Sequence, residues 1–193
     1  LNPLSVEADR MRTSLVPHIV QNVAKNRRNF ESIRLFEIGK AIYKRDQSSK
    51  ELPIETPRLC GAIAKQGDET PFFAVKGVVG EVLSVLGYAQ WRLERPALVP
   101  GWAHPGRVAE VVIGGQSLGF IGELHPRVAD AHELTLRVAL FDLNVLTLFE
   151  LPRSERSFTP LRRFPVNTIE ITAVLDKRQS VDALESCIKA AGG

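Results

Sequence analysis

The sequence predicts an α+β fold, and three observations support this prediction. Residues 107–124 form a strand–turn–strand pattern around Gly114 and Gly115, the glycine pair that a tight hairpin turn favours. Residues 72–86 repeat apolar side chains at helical spacing. Residues 32–44 have the apolar content of a long strand. A hairpin and further strands accompanied by separate helices are typical of the α+β class.

The first two predicted elements are a helix and a long strand. Thr13 and Ser14 are suited to cap a helix that continues through Asn29. Pro17 lies in its first turn, where a missing N–H is tolerated. The buried face of this helix is expected to contain Val16, Val20, Val23 and Ala24. Residues 32–44 carry apolar side chains on both faces, which is typical of a central strand covered on both sides.

Strands and helices continue to alternate after this strand. A polar loop over 45–57 leads to a strand over 58–65. The clearest helix covers 72–86, and Gly87 is placed to end it. Its apolar positions are Val75, Val78, Val79, Val82, Leu83 and Leu86. A short strand follows at 91–95.

The remaining elements of the main body follow the hairpin. Pro126 is expected to begin a short helix that ends at His132. Residues 137–144 form a buried strand, and residues 146–151 form a short helix or turn.

We expect the chain to divide into a main domain and a short tail. Residues 1–151 form the main domain, and the proline- and serine-containing residues 152–160 form a linker. Within the tail, 161–193, the alternation over 167–176 predicts a strand, and Ser180 is suited to cap a helix. Because one strand and one helix cannot form a core alone, the tail either docks on the main domain or begins a second, incomplete domain.

Composition excludes several protein classes. The 193 residues are 44% hydrophobic and 24% charged, an ordinary globular balance. No apolar run approaches the ~20 residues of a membrane-spanning helix, and the first residues lack a signal-peptide pattern. Since the only methionine is Met11, we expect a fragment or a processed form of a longer protein. Cys60 and Cys187 belong to no metal-binding motif, which favours reduced thiols and a cytoplasmic location.

Polar residues capable of chemistry are densest around the hairpin. His104, Arg107, Glu123 and His125 lie at its ends, and antiparallel pairing would bring Arg107 close to Glu123. This cluster could form an acid–base pair or a metal site in a small-ligand enzyme. Alternatively, the histidines end strands and the Arg–Glu pair is a contact between neighbouring strands. The sequence contains no phosphate-binding, dinucleotide-binding, serine-hydrolase or zinc-protease motif.

Two groups of arginines accompany aromatic residues. Arg27, Arg28 and Arg34 lie near Phe30 in the sequence. The second group contains Arg153, Arg156, Arg162 and Arg163, near Phe158 and Phe164. Such combinations can bind nucleic acid, but a solvated face and a charged linker explain them as well. The net charge of only +3 does not decide between these interpretations.

Four blocks of the sequence resemble the C-terminal part of the β subunit of bacterial phenylalanine–tRNA ligase. The first two are NPLSVEADRMRTSLVPHIVQNVAKN and RLFEIGKAIY. The third, FFAVKGVVGEVLSVLGY, is similar to the family pattern DFFDLKG followed by LL and LG. The fourth, HPGRVAEVVIGGQSLGFIGELHP, is similar to a family segment that runs from HPGR to GELHP. Their order along residues 2–150 makes the resemblance specific.

This resemblance implies a class II synthetase-like fold, an antiparallel sheet flanked by helices, without catalytic residues. Class II enzymes bind ATP phosphates with arginines of their motifs 2 and 3. Here the motif 2 position offers Arg34 and Glu37 but lacks the Arg-x-Glu strand and the returning strand with phenylalanine. No GxGxGxxR motif 3 occurs before residue 150. Without those cations the developing phosphate charge has no stabiliser, so we expect no catalytic, cofactor-binding or metal-binding residue.

The resemblance also implies partners. The holoenzyme attaches L-phenylalanine to its tRNA with ATP and Mg²⁺, and its chemistry resides in an α subunit that packs against β in a heterotetramer. The tail resembles the start of a ferredoxin-like, anticodon-binding domain, although Ile169 and Glu170 replace the family's usual Arg-Asp. We therefore expect contacts with the α subunit, with tRNA through the holoenzyme and with no membrane. An isolated fragment could also self-associate through the surface that α covers, and the sequence does not decide this.

The candidate structural and interface residues lie in the helix entry, the first long strand, the second helix and the hairpin. They are Arg12, Thr13, Ser14, Phe36, Glu37, Gly39, Lys76, Gly77, His104, Gly106, Arg107, Glu123 and His125.

Overall fold

Two compact units make up the chain. The computed structural model describes residues 10–45, 51–67, 70–88, 90–153, 168–176, 179 and 181–191. The first unit is Leu1–Ser154 and the second is Glu155–Gly193.

The first unit is built on a six-stranded sheet. Its strands are β1 (Ser32–Tyr43), β2 (Ile54–Lys65), β3 (Trp91–Glu94), β4 (Ala103–Ile113), β5 (Gln116–Leu124) and β6 (Val138–Asn144). Their order is β1-β2-β6-β5-β4-β3, and all neighbours are antiparallel. The expected α+β class with an antiparallel sheet is confirmed.

Four helices accompany the sheet, and a fifth lies in the second unit. They are α1 (Val16–Asn26), α2 (Pro71–Val85), α3 (Pro126–Ala131), α4 (Val145–Glu150) and α5 (Val181–Ala191). All five were expected from the sequence, within a few residues at each end. After α2, Gly87 has a φ of 89°, the left-handed conformation that suits glycine at a helix end.

The core is divided between the two faces of the sheet. Along the fully buried part of β6, Ala139 and Phe141 pack on the side of α2 and α4, whereas Val138 and Leu140 pack on the side of α1. Successive side chains of a strand point to opposite faces, so one central strand serves both cores. The architecture therefore has three layers, with helices on both sides of the sheet.

Helix α1 begins differently from the expectation. Its N-cap is Leu15, which makes no side-chain capping bond. Instead, Ser14 Oγ accepts a hydrogen bond of 3.1 Å from the backbone N–H of Val16. The helix ends at Asn26, whose carbonyl accepts the backbone N–H groups of Asn29 and Phe30 in a tight turn. The prediction that the helix continues through Asn29 is therefore wrong by one turn.

Strand β1 lies at the edge of the sheet, so its predicted central position is wrong. Its neighbour in the sheet is β2, and the two strands pair along the whole length of β1. Phe36 and Ile38, on the face that α2 covers elsewhere, are 70% and 67% exposed. Apolar residues on both faces show that a strand needs cover on both sides, but they do not say whether the same chain provides that cover.

The hairpin is confirmed, and it contains an irregularity that its sequence did not reveal. Gly114 and Gly115 form the turn with φ values of 58° and 82°. Ala103 pairs with Leu124 and Val108 pairs with Gly122. Residues 104–107 therefore lie opposite Glu123 alone and form a wide bulge in β4.

The second unit differs from the expectation in one element. Residues 168–176 are exposed and form no strand, so the strand predicted over 167–176 is wrong for this range. Alternation alone cannot make a strand, because a strand needs a neighbour to satisfy its backbone groups. Ser180 and the linker residues 154–160 lie outside the described residues. No helix in the described part of the chain is long and apolar enough to cross a membrane.

Candidate functional site

A nearly buried ion pair joins the neighbouring strands β2 and β6. Arg58 Nη2 lies 2.8 Å from Asp142 Oδ2, and Arg58 Nε lies 2.9 Å from Asp142 Oδ1. Arg58 also donates a hydrogen bond of 3.3 Å to the backbone carbonyl of Asp142. This bidentate arrangement uses the face of the guanidinium that would otherwise bind a phosphate.

Cys60 lies beside this pair and is fully buried. Burial raises the pKa of the Cys60 thiol far above its usual range, the charge of Asp142 raises it further, and the charge of Arg58 opposes that increase. The thiol therefore stays protonated at neutral pH and cannot act as a nucleophile.

A second ion pair fastens the entry segment to β1. Arg12 Nη1 lies 2.5 Å from Glu37 Oε1, and Arg12 Nε donates to the carbonyl of Lys40 at 3.1 Å. The backbone N–H of Ile42 donates to the Arg12 carbonyl at 2.8 Å. A Cβ atom at Gly39 would lie 2.3 Å from Arg12 Nη2, so any larger residue there would displace the Arg12 guanidinium from this position. Arg12, Glu37 and Gly39 thus form one structural unit.

The hairpin cluster is organised by Glu123, which is only 4% exposed. Arg137 contacts both of its carboxylate oxygens at 2.5 and 2.9 Å, and Arg107 Nη1 lies 3.3 Å from Oε2. The three side chains line a cavity of about 300 Å³ together with Phe72 and Phe73 at the start of α2. The bulge of β4 brings Arg107 to Glu123, as antiparallel pairing predicted. Arg137 did not appear among the sequence candidates.

The two histidines do not contribute to this cavity. His104 Nδ1 accepts a hydrogen bond of 3.0 Å from the backbone N–H of Gly106. His125 caps α3, where its Nδ1 accepts from the backbone N–H of Arg127 at 3.1 Å. Both rings bind local backbone, and neither hydrogen-bonds to Arg107 or Glu123. The interpretation of the four residues as one acid–base or metal site therefore receives no support from the histidines.

The described residues offer no metal-binding geometry. They contain no group of three or more His, Cys, Asp or Glu side chains that could hold a metal ion. This geometry gives no support to the alternative of a small-ligand enzyme with a metal or a histidine pair.

An apolar groove lies where the edge strand β1 meets α2. Its lining includes Phe36, Ile38, Leu59, Val78 and Val82, which we call the β1–α2 surface, and its volume is about 520 Å³. Three of the five, Phe36, Ile38 and Val78, are exposed large hydrophobic residues. Such a contiguous patch is typical of a surface that another protein covers.

Helix α2 exposes several apolar side chains. Among its fifteen residues Lys76, Glu81 and Ser84 are polar, and all three are exposed. Phe73, Val78 and Val85 are exposed as well, and Gly77 has open space where a Cβ would be. Exposed apolar side chains beside an apolar groove are typical of a surface that another protein covers. The candidate residues Lys76 and Gly77 therefore lie on a face suited to a partner.

The arginine groups found in the sequence have different surroundings. Arg27 contacts Glu133 at 3.0 Å and the His132 carbonyl at 3.4 Å, while Arg28 and Arg34 are exposed. In the second group, Arg153 lies over the ring of Phe149 at 5.4 Å from its centre. The remaining members of that group, Arg156, Arg162 and Arg163 with Phe158 and Phe164, lie outside the described residues.

Comparison with known proteins identifies relatives along the whole chain. Residues 1–145 match the family described as phenylalanyl tRNA synthetase beta chain CLM domain. The chain is 35% identical over 205 residues to the phenylalanine–tRNA ligase beta subunit of Bacillus licheniformis, covering 99% of this chain and 24% of that protein. It is 34% identical over 194 residues to the same subunit of Solibacter usitatus, covering 100% and 24%. The chain thus spans about a quarter of these relatives.

Solved structures of other synthetases share the fold. Pyrrolysyl-tRNA synthetase from Desulfitobacterium hafniense matches with a TM-score of 0.57 and 17% identity over 72% of this chain and 48% of that one. A second structure from that organism, described as PylSc, a pyrrolysyl tRNA synthetase, has a TM-score of 0.59 and 19% identity over 76% and 54%. At such identities the likeness concerns the fold alone, and the expected class II synthetase-like fold is confirmed.

The comparisons and the geometry of the site both bear on the identity of this chain. The family match covers three quarters of the chain, and the relatives exceed 30% identity. The small-ligand enzyme is not favoured. The chain belongs to the phenylalanyl-tRNA synthetase beta chain CLM family, a noncatalytic part of the β subunit.

Proposed function

We propose that this chain works as a supporting module in a phenylalanine–tRNA ligase whose α subunit carries the chemistry. That enzyme would join L-phenylalanine to its tRNA with ATP and Mg²⁺ in the cytoplasm. The observation that carries the proposal is that two arginines beside and on the sheet are already bound by carboxylates. Arg58 and Arg12 are held by Asp142 and Glu37 of the same chain. A phosphate would have to displace these carboxylates before it could bind.

ATP and Mg²⁺ do not fit the paired arginines and carboxylates of this chain. ATP needs cations directed at its phosphates, whereas Arg137, like Arg58 and Arg12, is held by a carboxylate of the chain, in its case Glu123. Mg²⁺ needs carboxylate oxygens that remain available. Asp142 and Glu123 are instead engaged by arginine. We therefore assign both groups to the α subunit and no reaction step to this chain.

The β1–α2 surface is our candidate for the contact with the α subunit. It combines an edge strand, an apolar groove and a helix with exposed apolar side chains. The relatives are named beta subunits, which implies a partner subunit. Apolar surface of this kind stabilises obligate complexes when it is removed from water.

Replacement of the Arg58–Asp142 pair tests whether the sheet face is structural or catalytic. The double variant Arg58→Met, Asp142→Leu replaces both charges with apolar side chains of similar size, a change that folded proteins often tolerate. We expect α with full-length β carrying this variant to keep kcat within about twofold, since a residue outside the chemistry supplies no transition-state stabilisation. The measurement is aminoacylation kinetics.

The single variant Arg58→Met is the matched control for that experiment. It leaves Asp142 without its partner and is expected to lower the free energy of unfolding by about 3 kcal/mol. A loss of kcat of about a hundredfold or more in the folded double variant would contradict a noncatalytic role.

A further inference from the structure

One end of the sheet carries exposed cations around an exposed aromatic ring. Lys25, Arg28, Phe30, Arg34 and Lys65 are exposed there, and we call this group the basic end. Phe30 is 57% exposed. Among these five residues, Arg34 also lines the groove of the β1–α2 surface, and the other four do not.

Two arginines of the basic end, Arg28 and Arg34, are not neutralised by any of the residues that the structure describes. No described residue forms an ion pair or a hydrogen bond with the side chain of Arg28 or Arg34. Glu133 is already bound to Arg27. Glu31 is the one carboxylate among the described residues that line the cavities beside Phe30. Positive charge without internal partners favours an anionic ligand.

The backbone holds Phe30 in a defined position. Its N–H donates to the Asn26 carbonyl at 3.1 Å, which completes the turn after α1. On the other side, the N–H of Gln66 at the end of β2 donates to the Glu31 carbonyl at 2.9 Å. A backbone fixed in this way limits the conformational entropy that is lost when a ligand stacks on the ring, because only the side chain remains to be ordered.

Phe30 separates two cavities, and each of them contains an arginine of the basic end. Arg28 and Gln66 line one cavity, of about 400 Å³. Arg34 and Asn26 line the other, of about 310 Å³. A ring with cations on either side is the arrangement that lets a base stack while its flanking phosphates are bound.

We propose that Phe30 stacks on an unpaired base of tRNA and that Arg28 and Arg34 bind phosphates on either side of that base. This inference rests on the proposed function, because tRNA is the substrate of that enzyme. RNA fits better than a protein partner, since the end offers one planar ring among cations and not a broad apolar patch. Recognition is by stacking and charge, and therefore depends little on base identity.

The test uses α with full-length β and a transcript of the phenylalanine tRNA. Arg28→Ala with Arg34→Ala is expected to raise the Kd for tRNA about tenfold, and to lower the slope of log Kd against log salt by about 1.4 if each arginine neutralises one phosphate. Phe30→Leu is expected to raise the Kd about tenfold, whereas Phe30→Tyr, which keeps a stacking ring, restores it. Arg92→Ala removes the same charge from β3, at the opposite edge of the sheet, and should leave the Kd unchanged.

ATP–pyrophosphate exchange, which needs no tRNA, separates this inference from the proposed function. We expect the same exchange rate in the wild type and in every variant. Unchanged tRNA affinity in the arginine and Phe30 variants, with exchange intact, would overturn the inference and leave the proposed function standing. Absence of exchange by the wild-type complex would overturn the proposed function itself.

Discussion

Three side chains on the central part of the sheet are paired or buried in a way that leaves no group available to a ligand. Arg58 and Asp142 neutralise each other at 2.8 Å, and Cys60 beside them is buried as a neutral thiol. In an active site the same residue types would have free hydrogen-bonding capacity directed at a ligand. The pairing therefore favours a role in stability over a role in catalysis.

The buried thiol is expected to make the free energy of unfolding depend on pH in the alkaline range. Its folded-state pKa is raised, so unfolding releases a proton once the pH exceeds the ordinary thiol value of about 8.5. We expect the free energy of unfolding to fall above that pH by up to about 1.4 kcal/mol per unit from this group, with no effect below it. The measurement is urea unfolding between about pH 7 and 10, the range on either side of the thiol pKa.

Two cysteine variants identify the source of that slope. Cys60→Ala removes the buried thiol and should flatten the pH dependence. Cys187→Ala removes an exposed thiol and should leave it as in the wild type. Equal slopes in the wild type and Cys60→Ala would show that the thiol ionises in the folded protein.

Elements determined by local sequence were predicted well, and elements determined by distant contacts were not. The hairpin followed from Gly114 and Gly115, because the turn type depends on those two residues. That pairing also placed Arg107 beside Glu123. Arg137 could not be found in this way, because it precedes β6, which joins β5 only through the tertiary fold.

The edge position of β1 is the clearest limit of sequence reasoning here. Alternation of Phe36 and Ile38 with their neighbours indicates a strand with two apolar faces, whether it lies in the centre or at the edge. Whether β1 lies in the centre or at the edge depends on whether a further strand pairs with its second side. The tail segment 168–176 shows the same limit, since its alternation leads to no strand in the structure.

Charges introduced on β1 test the proposed contact with the α subunit. In full-length β, Phe36→Asp with Ile38→Asp is expected to lower capture of α about tenfold or more, since two charges would have to be buried in an apolar interface. Both side chains are exposed in the chain alone, so its own fold should be preserved. The measurement is a pull-down titration with purified α.

Leu98→Asp is the matched control for those charges. Leu98 is 82% exposed and lies between β3 and β4, away from β1. It should capture α like the wild type. Wild-type capture by the β1 variant would contradict the assignment of the β1–α2 surface to α. A dimer of the chain alone that the β1 variant dissociates would instead assign that surface to a second copy.

At the scale of the whole molecule, a synthetase fold is combined with paired charges. No buried side-chain polar atom of the described residues lacks a hydrogen-bond partner. The fold is shared with synthetase structures of less than 20% identity. Arg12 and Arg58 are paired with carboxylates of the chain, while apolar and basic residues remain exposed at the surface. Function in this molecule is therefore expected at its surfaces, where it would hold a partner subunit and RNA.

The central claim is that this chain supports an enzyme without being one. The most direct measurement is tRNA aminoacylation with phenylalanine by the chain alone, by α alone and by α with full-length β, together with capture of α by the chain. We expect the chain to capture α and to show no aminoacylation alone, and we expect α with full-length β to be active. Aminoacylation by the chain alone, or no affinity for α at any salt concentration, would contradict it.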